Sequence, residues 1–354
     1  MNNAQIEIQQ LVQRAKREHR CFTATTRATH QTLLRLTKRD IFVSPYLNLF
    51  YPKEEWQVMP YCQQHLYILR GLQKIHAWVA AGMSAIEVHG MPHPWSQHDG
   101  LITIASKWAS SNPYGGKRYA TPSDAPPNSF VPGSPPAILT PVRGSKQPLR
   151  RLFITNDETV TVSGIRTTSL FRTVFDAVML GTFDSALECV NHVLRTGISK
   201  QDLRIYCAQL HANPRRMDCI LKYATPLAEN GGESMVLAAI IREGFAIPEL
   251  QHEFTNFENP SAPLRSDFYW KTTDGRIIVL EFDGLGKYSN PSMTRRAEEE
   301  NITRQARRDK MLFDQGVSEI IHCFSEDIYR PDRLVRKLVA ARVPRLRHAR
   351  ELPF

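Results

Sequence analysis

The feature that most constrains this chain is residues 264–283, where acidic side chains sit inside strongly β-forming sequence. The first run, Ser266 to Lys271, carries Phe268, Tyr269 and Trp270; the second, Arg276 to Asp283, carries Ile277, Ile278, Val279, Leu280 and Phe282. Both are rich in β-formers, and Thr273, Asp274 and Gly275 lie between them, so the pattern predicts a hairpin. Opposed residues point to one face, and a one-residue slip reverses that relation. A two-residue Asp274-Gly275 turn pairs Asp267 with Phe282. A three-residue loop with Gly275 in the left-handed region pairs Thr272 with Arg276. Asp267 then stands opposite Glu281, with Asp283 two residues along the same face. Three converging carboxylates repel at neutral pH unless a cation sits among them, and an oxygen-only cluster suits Mg²⁺, Mn²⁺ or Ca²⁺.

The rest of the chain gives this hairpin a setting. At 354 residues and 42% hydrophobic composition there is enough apolar sequence for a core, and the length suggests two or three domains. Formal net charge is +10 with pI near 9.4, which favours an acidic partner, nucleic acid before an anionic membrane. No apolar run reaches the ~18 residues of a membrane span, and the polar start lacks a signal peptide's apolar region, so a cytoplasmic location is expected. Six scattered cysteines form no CxxC pair and indicate neither zinc nor a disulfide framework.

Residues 1–60 read as a helical, winged-helix-like module: short helices, then a strand-like run from Ile41 to Tyr51 with a proline bend. Arg27, Arg35, Lys38 and Arg39 could meet phosphates there. A small helical cap on the next domain fits the same pattern. Residues 61–227 read as a middle α+β domain interrupted at 110–148 by a Pro/Ser/Gly-rich insertion. Within it a helix is expected over Tyr61 to Ala81. His89, His93 and His98, near prolines and glycines, read as loop histidines rather than zinc ligands. Asp184 is expected to cap a helix, Ser199 with Asp202 to form a capping box, and Arg172 with Asp176, four apart, to form an intrahelical ion pair. Residues 228–354 continue as helix (Glu233 to Glu243), strand (Glu249 to Phe254), the hairpin, a charged helix (Met293 to Gln315), a strand (Ser318 to Phe324) and a final helix (Pro331 to Ala341), with Gly316 as a helix C-cap. The fold class is thus α/β (α+β), ending in a short mixed sheet flanked by helices.

Glu233 in Gly-Gly-Glu-Ser, Asp267 in Ser-Asp-Phe, Glu281-Phe-Asp283-Gly284, Arg308-Asp309 and Gly316 succeed one another as in a known pattern. Residues 228–341 resemble the PD-(D/E)XK, restriction-endonuclease-like fold, and within it the very-short-patch-repair-like endonuclease domains of bacterial proteins. Upstream, the His89-Gly-Met-Pro motif and the Thr-Ser-Leu-Phe-Arg-Thr-Val-Phe-Asp176 motif resemble AbiEi-like antitoxin proteins. Where active members of the nuclease fold have Glu-x-Lys this chain has Glu281-x-Asp283, and where the repair-like families have His after Asp-Gly it has Lys287. His322 stands where an Arg is common in the last strand.

The resemblance implies a DNA endonuclease using Mg²⁺ or Mn²⁺ held by Asp267, Glu281 and Asp283. It gives Glu233 the role of a supporting carboxylate or water-orienting residue, and Lys287 that of stabilising the phosphate. The helix carrying Arg295, Arg296, Arg304, Arg307, Arg308 and Lys310 would position the DNA backbone, although Glu298 to Glu300 also fit a solvated helix. The alternative is a non-catalytic DNA-binding transcriptional regulator or antitoxin of a toxin-antitoxin or phage-defence system, whose further partner would be a cognate toxin protein.

Overall fold

The computed structural model describes residues 3–46, 48–93, 101–107, 149–154, 158–283, 295–346 and 350–354, with the side chains of 295–302 outside the description. The insertion at 110–148, His98 and Lys287 therefore lie outside the described residues. The protein mixes helix and strand and divides into two compact units, Met1–Ala177 and Val178–Phe354. Among the described residues no helix is long and apolar enough to cross a membrane.

The first unit opens with α1 (Asn3–Arg17) and α2 (Arg27–Lys38), and then an antiparallel ribbon of β1 (Phe42–Tyr46) and β2 (Leu49–Pro52). The single strand-like run expected over 41–51 is broken because Asn48 takes φ +58, a turn conformation that Asn tolerates well. Leu33, Phe22, Phe50, Tyr51 and Trp56 are buried beneath this ribbon. Arg27, Arg35, Lys38 and Arg39 are exposed. After α3 (Lys53–Val58) comes α4 (Tyr61–Gln73), which stops eight residues short of the expected end at Ala81. The reason is pairing: Val79–Ala81 is extended, with Ala80 N–H donating to Arg166 O at 2.9 Å and Ala81 N–H to Thr103 O at 3.0 Å. The unit continues with α5 (Gly82–Val88), β3 (Ile102–Ser106) parallel to β4 (Leu149–Phe153), the hairpin of β5 (Thr159–Val162) and β6 (Ile165–Thr168), and most of α6 (Leu170–Leu180), whose last turn belongs to the second unit.

Arg172 meets Asp176 at 2.9 Å as expected, with both side chains largely buried. Asp176 is buried, and burial raises its pKa to about 6 against the guanidinium's pull. His89 Nε2 hydrogen-bonds Thr168 O at 2.8 Å, which ties a loop to a strand end.

The second unit begins with α7 (Phe183–Arg195), α8 (Lys200–Gln209) and α9 (Arg215–Tyr223). Thr182, not Asp184, caps α7, and Asp184 pairs instead with Arg242. The capping box of Ser199 and Asp202 forms at the start of α8. Next come α10 (Gly231–Arg242), β7 (Glu249–Phe254), β8 (Leu264–Lys271), β9 (Ile277–Asp283), α11 (Arg295–Phe313), β10 (Val317–Phe324), α12 (Ser325–Tyr329) and α13 (Pro331–Ala340). Strands β7, β8 and β9 form an antiparallel meander, and β10 adds parallel to β9, giving the order β10-β9-β8-β7. Gly316, at φ +88, ends α11 as a left-handed cap before β10.

Side-chain alternation explains why both faces of this sheet are covered. Phe268, Trp270, Ile278 and Leu280 are buried on one face; Val279 on the other packs with Leu312 of α11. Helix α10 is buried along most of its length through Val236, Leu237, Ile240 and Ile241. Its first turn abuts the ring of Phe282 so closely that a Cβ on Gly232 would run into it. Gly232→Ala should therefore cost about 1–3 kcal/mol through overpacking. Urea denaturation of the variant against wild type checks this, and an unchanged midpoint would show that the Phe282 ring yields freely.

Candidate functional site

The hairpin takes the three-residue form. Thr272 N–H donates to Arg276 O at 2.9 Å, Gly275 N–H donates to Thr272 O at 3.0 Å, and Gly275 has φ +85. The ladder runs Lys271 to Ile277, Trp270 to Ile278, Tyr269 to Val279 and Phe268 to Leu280. Its next step sets Asp267 opposite Glu281, and the Asp267 carboxylate accepts a hydrogen bond from Phe282 N–H at 2.7 Å. Asp283, two residues on, is buried, as is Glu281 at 8% exposure. On the other side of β9, the parallel pairing puts His322 beside Glu281.

Helix α10 brings Glu233. Asn230 caps this helix, its Oδ1 accepting from Glu233 N–H at 2.9 Å, and the Glu233 carboxylate folds back to accept from Glu229 N–H at 2.6 Å. Glu233 is thus a capping residue first. Its Oε2 also accepts from Gln251 Nε2 at 3.3 Å, which joins it to β7.

Helix α11 supplies cations and a further acid. Arg308 Nη2 donates to Glu281 Oε1 and Oε2 at 3.0 and 3.2 Å, and to the carbonyl of Arg265. His322 lies between two carboxylates, Nε2 3.1 Å from Asp309 Oδ2 and Nδ1 3.4 Å from Asp283 Oδ2, while Gln305 donates to Asp309 at 3.0 Å. Arg304, Arg307 and Lys310 are exposed, and Arg307 is paired with Glu258.

The titration of these groups reflects competing effects. Burial raises the pKa of Glu281 to about 7; Arg308 pulls it down and the neighbouring Asp267 pushes it up. Burial also raises Glu233 to about 7, against the hydrogen bond from Glu229 N–H and with help from Asp267. Asp267 is raised by burial, with Phe282 N–H, Arg308 and Gln251 acting against it. For His322 the hydrogen bond to Asp283 outweighs burial, and its pKa is raised.

Of the residues singled out from sequence, the fold brings Glu233, Asp267, Glu281 and Asp283 to one end of the sheet; Lys287 falls outside the described residues. Arg308, still partly exposed, pairs with Glu281. Nothing in the sequence marks Gln251; only the alignment of β7 with β8 sets it in line with Asp267. Among the described residues, no group of three or more His, Cys, Asp or Glu side chains closes as a finished metal cage. The Asp267 and Glu281 pair still suits a hard cation. Mg²⁺ typically takes one or two protein carboxylates and completes its shell with waters and substrate phosphate.

Comparison with family models, with curated proteins and with solved structures returns no match.

Acids held at raised pKa keep their proton longer in the folded than in the unfolded protein. Stability from Glu281 and Glu233 is then fully present below the unfolded carboxylate range near pH 4.5 and is lost as pH rises through about 7. In EDTA, the urea midpoint should fall between pH 5 and pH 8. Glu281→Gln should flatten part of that fall, and a wild-type profile in this variant would place the linkage elsewhere.

Proposed function

We propose that residues 228–354, within the second unit, form a restriction-endonuclease-like domain that binds duplex DNA and hydrolyses its phosphodiesters with Mg²⁺ or Mn²⁺. The observation that carries this reading is the hairpin register, which opposes Asp267 and Glu281 in a partly buried site. Two carboxylates so placed are costly to ionise together without a cation, and burial adds to that cost by raising the pKa of each. The element order supports it too: helix, antiparallel meander, helix, and a fourth strand parallel to the third.

Asp267 and Glu281 would hold the cation, which supplies Lewis-acid activation of water and charge neutralisation at the phosphate. Glu233, titrating near neutrality, can hold or release a proton at its carboxylate in the working pH range. Arg308 donates to the Glu281 carboxylate and lies near enough to Asp267 to act on it, so it can shift from Glu281 to an incoming phosphate. The exposed Arg304 and Lys310 on the same helix suit backbone contacts. In the first unit, two helices and a ribbon with exposed Arg27, Arg35, Lys38 and Arg39 suit a winged-helix-like DNA contact.

One observation favours a second reading, a non-catalytic DNA-binding regulator or antitoxin. Arg308 and His322 already set positive charge against Glu281 and Asp283, which balances part of the site from within. Plasmid incubated with wild-type protein and Mg²⁺ or Mn²⁺ separates the two. Nicking or linearisation is expected, with a loss of at least about 100-fold in Asp267→Ala and Glu281→Ala. Salt-sensitive duplex binding should persist in both variants. Intact plasmid with either metal, alongside normal binding, would leave the regulator reading standing.

A further inference from the structure

β7 is the edge strand of the four-stranded sheet, and Gln251 at its centre has φ +56, the left-handed region that side-chain-bearing residues rarely adopt. This is not a register fault. Leu250 pairs with Phe268 and His252 with Ser266 on one continuous alignment, so Gln251 stands in line with Asp267 without an inserted residue. Its side-chain amide donates to Glu233 Oε2 at 3.3 Å, and the strand alignment sets Gln251 across from Asp267. A single uncharged NH₂ group, with two donors, thus bonds the carboxylate carried by α10 from a position in line with the one carried by β8. An Arg or Lys there would neutralise the pair and compete with a bound cation, and an acid would add repulsion. Backbone strain of this kind persists only where the surrounding structure holds it in place.

We infer that Gln251 is a positioning residue: it holds Glu233 and Asp267 in one geometry for a divalent cation and phosphate, and its left-handed backbone is the cost of aiming its amide inward. This rests on the nuclease reading above. Two substitutions take the two features apart. Gln251→Gly removes the amide and relieves the backbone; Gln251→Met keeps the shape and the strain but has no donor.

The experiment measures the melting temperature in EDTA and the Mn²⁺ concentration giving half-maximal plasmid cleavage, together with the Mn²⁺-induced melting shift. In both variants the Mn²⁺ requirement should rise about tenfold or more and the Mn²⁺-induced shift should shrink. Gln251→Gly should melt in EDTA within a few degrees of wild type or above it. Variants with the wild-type Mn²⁺ requirement would overturn the inference while the nuclease reading stands. So would a Gln251→Gly protein that melts far below wild type in EDTA, because the residue would then be structural. A wild-type protein that neither cleaves nor shifts with Mn²⁺ overturns the nuclease reading and this inference together.

Discussion

The turn closed by Gly275 is the constraint on which the site depends. With three residues between Thr272 and Arg276, the odd-numbered residues Asp267, Glu281 and Asp283 share a face, and the even-numbered Phe268, Leu280 and Phe282 take the other. One residue fewer in that loop would turn Asp267 away from Glu281 and exchange buried for exposed positions along a strand. The apolar pattern therefore enforces the register that the acids need. Packing depends on it as well: Phe282, turned away from the carboxylates, meets the first turn of α10, and the glycine at 232 lets that turn approach until Glu233 reaches Gln251.

Charge balance in this site is decided by which effect wins at each group. At Glu281, burial outweighs the guanidinium of Arg308, so the carboxyl titrates near 7 despite an Arg at 3.0 Å. At His322, the hydrogen bond to Asp283 outweighs burial and favours the imidazolium. The internal cations are therefore unequal. His322 is held between two acids and pairs fully with its surroundings, whereas Arg308 leaves Glu281 only partly compensated. Removing both partners of such a contact is cheap compared with leaving one charge buried alone, which is why the acids and their cations have to be considered together.

Much of this was legible in the sequence, for physical reasons that differ by element. The strands β8, β9 and β10 announce themselves by β-branched and aromatic residues, and Gly275 and Gly316 by conformations that glycine adopts without cost. The capping box at Ser199 is local and was readable for the same reason. Pairing between distant segments was not: the extended Val79–Ala81 segment has helix-forming residues, and its hydrogen bonds to Arg166 and Thr103 override that preference. The same holds for the site. Asp267, Glu281 and Asp283 could be related through one hairpin, while Gln251 needed the position of a third strand and a backbone angle that composition does not encode. Arg308 was visible as part of a basic helix, but its pairing with Glu281 is set by how α11 lies on the sheet.

The departure at Asp283 bears on how many cations the site would use. In the sequence pattern Asp283 offers a further ligand, enough for a second metal position. In the fold its carboxylate is 3.4 Å from His322, which is in turn tied to Asp309, and Gln305 holds Asp309 from the other side. A ligand already engaged by a favoured imidazolium has to give up that hydrogen bond before it can coordinate, and the imidazolium would then face the cation across a short distance. Asp267 carries no such partner among the described histidines, and Glu281 has only the less complete compensation from Arg308. On the nuclease reading, the geometry thus suits one cation shared by Asp267 and Glu281, with Asp283 and His322 supporting the strand end beside it rather than holding a second.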